Sequence, residues 1–481
     1  MLEQTQEVQD LRVQEVESMR EKLFERIAGA LFGGAIADSL GWGTEFARSK
    51  REVARRFGDD YVRDFKPWEK MTGGRFNTYI DYVQPGEYSD DTQLTLCTAR
   101  SLNPDGTFNS EHFAKKELPL WLDYARGAGR TITAAARALK RTGTPWDNNF
   151  FTFQGRKTRL NYRDAGANGA AMRISPIALA NILNPQIISR EVARNCIITH
   201  GHPRAILGAL VYARALWFLA ANLKPDLQSF LQDIKDFTHD LTLDALDNSL
   251  AHWIERWNSG NPQTFESLWN STQTEMLQFI DIAASSRQCP LSRVMHELGC
   301  FDPNTKSSGT GTVAAAIAIF LKHGRNFEHT VLEAVNTIGT DTDTIGAMAA
   351  SLVGAYQGYF GIPDRWARQM QDYDYFLRVS ETLSRIASRT ARVNELLPDY
   401  SYERMFRSRD IISLTKSRIV VEGRRVSHPL FGLGWVTGVS SQAIRRKGGG
   451  NILLARVAFD VGQSCIFRAY SGQPTRRGAK A

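Results

Sequence analysis

The residues best placed to do chemistry lie in two short runs. In the first, Tyr88-Ser89-Asp90-Asp91-Thr92 precedes Gln93-Leu94-Thr95-Leu96. In the second, Thr340-Asp341-Thr342-Asp343-Thr344 opens an apolar, small-residue stretch that reaches Gly358. Asp, Ser and Thr commonly cap a helix N-terminus, because their oxygens accept from N–H groups that lack intrahelical partners. A cap needs one such residue, and each run offers several. Hard oxygen donors in that number suit Mg²⁺ or Mn²⁺, whereas zinc favours His and Cys. The positive end of a helix dipole repels cations, so a metal there must be held by carboxylates that outweigh it. Two such helix starts facing each other would form a two-metal centre, with ions ~3.5–4 Å apart.

Further polar residues lie in glycine-rich surroundings. Glu45 follows Gly41-Trp42-Gly43, read as a tight turn after a helix that ends near Asp38, and is a candidate for holding a ligand or water. The loop Gly166-Ala167-Asn168-Gly169 precedes Arg173 and a helix. Glycines there let backbone N–H groups approach a phosphate. Arg173 itself is open between a structural ion pair and a phosphate contact. In Thr199-His200-Gly201-His202-Pro203 the histidine spacing invites a metal, but no Cys or third His lies near. These histidines read as braces of a loop or lining of a pocket.

The elements that must position these residues are mostly helical. Gln4 to Ile27 is amphipathic, and its stripe is covered by its own domain or, as the alternative, by a partner. Gly29 to Leu40 continues as a helix dense in Gly and Ala. Glu111 to Lys140, Arg204 to Ala220, the segment ending at Leu321, and Phe327 to Val335 also read as helices. Gly346, Ala350 and Gly354, four apart, let another backbone approach closely. No sustained alternation occurs before residue 417. After it, Arg424-Arg425-Val426, Gly434 to Val439 and Ile452 to Phe459 read as strands of a small β-barrel, with a basic loop, Arg445-Arg446-Lys447, and a basic tail. The expected division is an N-terminal helical extension at 1–22, a main domain at 23–395, a linker at 396–419 and the barrel with its tail at 420–481.

Composition sets outer limits. The 481 residues, 42% hydrophobic, allow a main domain and a smaller module. A net charge of +8 is compatible with polyanionic or phosphorylated ligands. Five cysteines without CxxC pairing point to a reducing compartment. The charged N-terminus lacks the apolar core of a secretory signal, so a cytoplasmic location is expected. The apolar helix after Asp343 falls near the lower limit of ~17 residues for a span, so no membrane partner is expected.

The motifs GALFGGAIADSLGWGTEF, YSDDTQLTL, GANGAAMRISPIAL, THGHPRAILGAL and NTIGTDTDTIGAMAASLVGAYQG, in this order, resemble the ADP-ribosylglycohydrolase family, in its bacterial, dinitrogenase reductase activating glycohydrolase-like form. The resemblance covers roughly residues 26 to 365. It implies an all-α domain with two Mg²⁺ or Mn²⁺ ions at the bottom of an ADP-ribose cleft. Ser89, Asp90 and Asp91 would ligate on one side, and Asp341, Asp343 and Thr344 on the other. Family members commonly carry Thr at the Ser89 position. Glu45 would approach the metals or the ribose, Gly166, Ala167, Asn168 and Gly169 would cradle the diphosphate, and His200 and His202 would lie near the substrate. Where the family often places an aromatic, this chain has Thr310-Gly311-Thr312, so base stacking would fall to Phe150, Phe151, Phe153 or Tyr162. The end of the chain resembles the Tudor-like barrel of bacterial superfamily-1 helicases, which implies a protein or nucleic-acid partner. The implied activity is hydrolysis of the bond between ADP-ribose and its acceptor, an arginine side chain being the first choice. Asp91, Glu45 and Asp343 are the candidates for moving the proton. The alternatives are a binding or immunity protein that blocks an ADP-ribosyltransferase, and a hydrolase acting on ADP-ribosylated nucleic acid.

Overall fold

The structure, a computed structural model, describes residues 2–73, 78–141, 144–155, 157–223, 225–244, 246, 250–398, 409–444 and 450–470, with side chains of the first helix from Glu17 onward. The expected basic run at 445–447, the basic tail and the middle of the expected linker lie outside the described residues.

The fold is built on the crossing of two helices, the opening helix Leu2–Glu45 and the helix Thr342–Gln357. Their backbones touch at glycines. A Cβ on Gly29 would stand 2.3 Å from the Gly354 carbonyl oxygen, and one on Gly33 would stand 2.5 Å from that of Ala350. The small residues at 350 and 354 thus face the opening helix, as their spacing predicts, while Gly346 has more room. The opening helix does not turn at Gly41-Trp42-Gly43 but runs on to Glu45. Packing overrides the low helix propensity of glycine here. Trp42 is fully buried with its ring edge-on to Trp68 at 5.3 Å, and Gly41 lies directly on the backbone of Asp343.

Around this pair pack the helices Asp90–Arg100, Pro203–Ala221, Gly309–His323, Phe327–Val335 and Tyr373–Ala387. Pro203–Ala221 is long and apolar enough to cross a membrane, yet most of it is buried inside the molecule. Two short hairpins interrupt the helices where none is expected: β1 (Trp68–Thr72) with β2 (Tyr79–Val83), and β3 (Thr152–Gln154) with β4 (Arg159–Asn161). Their runs are too short to show sustained alternation in the sequence.

At the C-terminus, β5 (Arg425–His428), β6 (Gly432–Ala443), β7 (Asn451–Phe459) and β8 (Ser464–Tyr470) form one antiparallel sheet in that order. Among the described residues the ladders show β5 and β8 at the two ends of this four-stranded sheet, where a small β-barrel is expected. One face of the sheet lies on the helical domain. The Tyr124 ring meets Phe431 at 5.3 Å and Phe467 at 6.1 Å. The fully buried Arg100 pairs with Glu117 at 2.8 Å and donates to Gln463 Oε1 at 2.7 Å, next to β8. On the other side Tyr79 of β2 is buried with Ile444 and Ile452, and its hydroxyl accepts from Arg468 at 2.9 Å. The sheet therefore touches both the hairpin β1–β2 and the helix Asp90–Arg100.

Candidate active site

The two acidic runs sit at the N-termini of the helices Asp90–Arg100 and Thr342–Gln357, and the fold brings these ends together. Asp343 faces Glu45, Asp341 and Asp91, and Asp91 faces Asp90 and Asp341. Oxygens of Glu45, Asp341 and Asp343 lie within 4.8 Å of one another. Glu45 arrives as the last residue of the opening helix and is half-buried at the edge of the cluster, while the aspartates are buried.

Hydrogen bonds within the fold already engage part of this oxygen set. Ser89 caps its helix, its Oγ accepting from Asp91 N at 3.3 Å. Asp341 occupies the N-cap position of its helix without making a capping bond. Its Oδ2 instead accepts from Asn168 Nδ2 at 3.0 Å. Asp343 accepts from Thr344 N at 2.9 Å, and Asp90 from Gly129 N at 3.3 Å. Thr340 and Thr342 turn away, donating to the carbonyls of Thr337 and Gly41. Thr340 and Thr342 are thus structural, while Asp341 and Asp343 keep carboxylate oxygens in the cluster.

The electrostatics call for positive charge. Burial together with neighbouring carboxylates pushes Glu45 up to about 8, and burial pushes Asp90 up to about 7. Asp91 and Asp343 are raised well above the usual carboxylate range by burial and by the acidic groups facing them. Asp91 Oδ2 is buried without a hydrogen-bond partner. A buried carboxylate oxygen left unpaired is costly, and a cation bound there would satisfy it. An all-oxygen donor set of this kind fits Mg²⁺ or Mn²⁺. Ser89, Asp90, Asp91, Asp341, Asp343 and Thr344 are the residues that would hold such ions.

The glycine loop lies beside this cluster. Gly166 N donates to Asp164 O and Asn168 N to Ser307 O, both at 2.9 Å, so at most Ala167 and Gly169 offer free N–H groups to a phosphate. The Asn168 side chain is turned to Asp341 and Thr312. Arg173 is fully buried and donates to Asn195, Gly169 O and Thr199, which settles it as a brace of the loop. His200 packs on Gly169 and His202 on Gly166. His200 Nδ1 lies 2.8 Å from Thr199 Oγ1, and its Nε2 is buried and unpartnered. His202 Nδ1 accepts from Arg204 N at 3.0 Å and so caps the next helix. Burial holds His200 well below the ordinary imidazole value and brings His202 down to about 4. Of the rings expected to stack a base, Tyr162 and Phe151 are buried, with the Tyr162 hydroxyl bonded to Ile197 O. Phe150 and Phe153 are half-buried.

Three residues that sequence reasoning passes over complete the site. Asp38 is fully buried in the opening helix and accepts from Ser89 N, Thr92 N and Thr92 Oγ1, the last at 2.5 Å. It caps the Asp90 helix from outside. Lys70 of β1 faces Glu45, Asp90 and Asp343. Arg126 pairs with Asp81 of β2 at 2.8 Å and with Glu87 at 2.7 Å, next to Gly127, whose missing Cβ leaves space for Asp90. The only local signal for Asp38 is a carboxylate in the stretch of its helix that is dense in Gly and Ala.

The chain that builds this helical fold, with its paired acidic helix ends and the glycine loop beside them, matches a family of glycohydrolases. A sequence model of the ADP-ribosylglycohydrolase family matches residues 19–396, and the chain belongs to that family. It is 32% identical over 197 residues to an ADP-ribosyl-[dinitrogen reductase] glycohydrolase of Rhodospirillum rubrum, a match spanning 40% of this chain and 58% of that protein. It is 23% identical over 372 residues to ADP-ribosylhydrolase ARH3 of Homo sapiens, covering 75% of this chain and 93% of that one. A solved structure, an ADP-ribosylglycohydrolase-related protein complex, shares the fold with a TM-score of 0.52 at 24% identity, over 76% of this chain and 99% of that chain.

Proposed function

We propose that this protein is a metal-dependent hydrolase that cleaves the glycosidic bond joining ADP-ribose to an acceptor, with an arginine side chain of a protein as the first acceptor to test. The observation that carries this reading is the convergence of Glu45, Asp341 and Asp343 on one spot, with Asp91, which has a buried unpaired oxygen, next to Asp343. Divalent ions bound there would supply Lewis-acid polarisation of ribose hydroxyls and of a water.

The remaining work falls to the chain. In hydrolysis, water adds its oxygen to the ribose C1, the bond from C1 to the acceptor breaks, and the acceptor leaves with a proton. Positive charge builds on the ribose as that bond breaks, and the surrounding carboxylates stabilise it. Asp91 and Asp343 are buried and committed to the centre. Glu45, half-buried at its edge and raised by its neighbours, is the carboxylate we assign to take the proton from water. Asn168 fixes Asp341, and Asp38 fixes the start of the Asp90 helix. The glycine loop, braced by Arg173 and both histidines, is assigned to the diphosphate.

The test is release of free ADP-ribose by Asp90→Ala and Asp341→Ala variants. Both should lose turnover while keeping the helical circular-dichroism spectrum. Normal turnover in the doubly substituted protein would refute the metal assignment.

A further inference from the structure

Lys70 is placed by strand geometry. Trp68, Lys70 and Thr72 share one face of β1, and the Trp68 ring, buried against Trp42, fixes that face inward. Lys70 pairs in register with Asp81, which is held by two hydrogen bonds from Arg126. The Lys70 ammonium stands 4.5 Å from the ring centroids of both Trp42 and Phe46, so two aromatic faces seat it. Trp42 and Phe46 belong to the turn of chain that carries Glu45. The seat sets the ammonium beside the acidic centre, where burial lowers its pKa and the charges of Glu45, Asp90 and Asp343 oppose that shift.

A fixed positive charge beside a carboxylate cluster offsets the repulsion within the cluster and opposes any second cation. We propose that Lys70 is a tethered counter-cation of the acidic centre, which it neutralises in part when the centre is free of metal, and which it makes a weaker site for divalent ions. Metal affinity in this protein is then set by a residue outside the ligand set, on a hairpin that the C-terminal sheet supports through Tyr79. The proposal rests on the reading of the centre as a divalent-metal site.

The test is a Mn²⁺ titration of the full-length protein, with free Mn²⁺ followed by electron paramagnetic resonance, for wild type, Lys70→Met and Lys70→Arg. Methionine keeps an apolar stem on the two rings and removes the charge. The Met variant should bind Mn²⁺ about tenfold more tightly, the scale of one nearby unit charge, and the Arg variant should bind as wild type does. A second readout is the rise in melting temperature on adding Mg²⁺, which should be larger for Lys70→Met than for wild type. If that variant does not fold, Lys70→Gln takes its place in both measurements. Equal or weaker Mn²⁺ binding by the uncharged variant would overturn the proposal, as would an Arg variant that behaves like the Met one. Absence of Mn²⁺ binding by every protein would overturn the metal reading, and the proposal with it.

Discussion

Asn168 is the residue whose role changes most between sequence and structure. In the glycine loop it reads as part of a diphosphate cradle, yet its amide donates to Asp341 and to Thr312. Outer partners of metal ligands commonly tune affinity ~10–100-fold. Asn168→Ala should weaken Mn²⁺ binding by about that factor, measured by titration, with the melting temperature little changed. The carboxylates themselves predict a pH dependence. Glu45, pushed from an ordinary 4.5 up to about 8, and Asp90, pushed up to about 7, bind protons more tightly in the folded protein than in the unfolded chain. Their stabilisation is present below the ordinary values and is lost as pH rises through the folded ones. The metal-free protein should therefore melt at lower temperature at pH 8 than at pH 5. The gain from added Mg²⁺ should widen over the same range, and a gain independent of pH would contradict the account.

At the scale of elements, much of the site was legible because its signals are local. Clustered Asp, Ser and Thr before an apolar run mark helix starts, and the structure places both runs at helix N-termini. The residues that escaped notice act across the fold. Asp38 caps a helix 51 residues away, and Lys70 reaches the centre from a hairpin of five-residue strands. Gly41-Trp42-Gly43 misled for the same reason, since glycines that usually break a helix here permit a helix crossing. That crossing makes a prediction. A Cβ on Gly41 would stand 2.7 Å from Asp343 Cα, whereas one on Gly29 would collide far from the centre, at Gly354. Overpacking of this kind costs ~1–3 kcal/mol. Gly41→Ala and Gly29→Ala should both lower the melting temperature, but only Gly41→Ala should also weaken Mn²⁺ binding. Equal Mn²⁺ affinity in the two variants would show that the crossing does not set the position of Asp343.

For the molecule as a whole, the C-terminal sheet is where the sequence was least informative. β-like runs were readable between Val420 and Tyr470, while β8 was not singled out, because Ile466 and Tyr470 stand at half-buried positions where polar residues would have marked its alternation. The sheet shares a core with the helical domain through Tyr124, Phe431 and Phe467, and Arg100 joins the two beneath it. Removing one partner of a buried ion pair leaves the other charge stranded, at ~3–5 kcal/mol. Arg100→Met should accordingly destabilise the protein by about that amount in chemical denaturation, with Glu117 left only His112 as a partner. An unchanged midpoint would mean that the sheet and the helical domain are joined elsewhere.

The central claim is that the acidic centre hydrolyses ADP-ribose linkages with bound divalent ions. Its most direct test is release of free ADP-ribose from ADP-ribosyl-arginine, ADP-ribosyl-serine and ADP-ribosylated DNA, with Mg²⁺ or Mn²⁺ and with chelator. The account predicts release from at least one acceptor, ADP-ribosyl-arginine first, that chelator abolishes and added metal restores. Release that persists undiminished in chelator, or no release from any acceptor with metal bound, would contradict it.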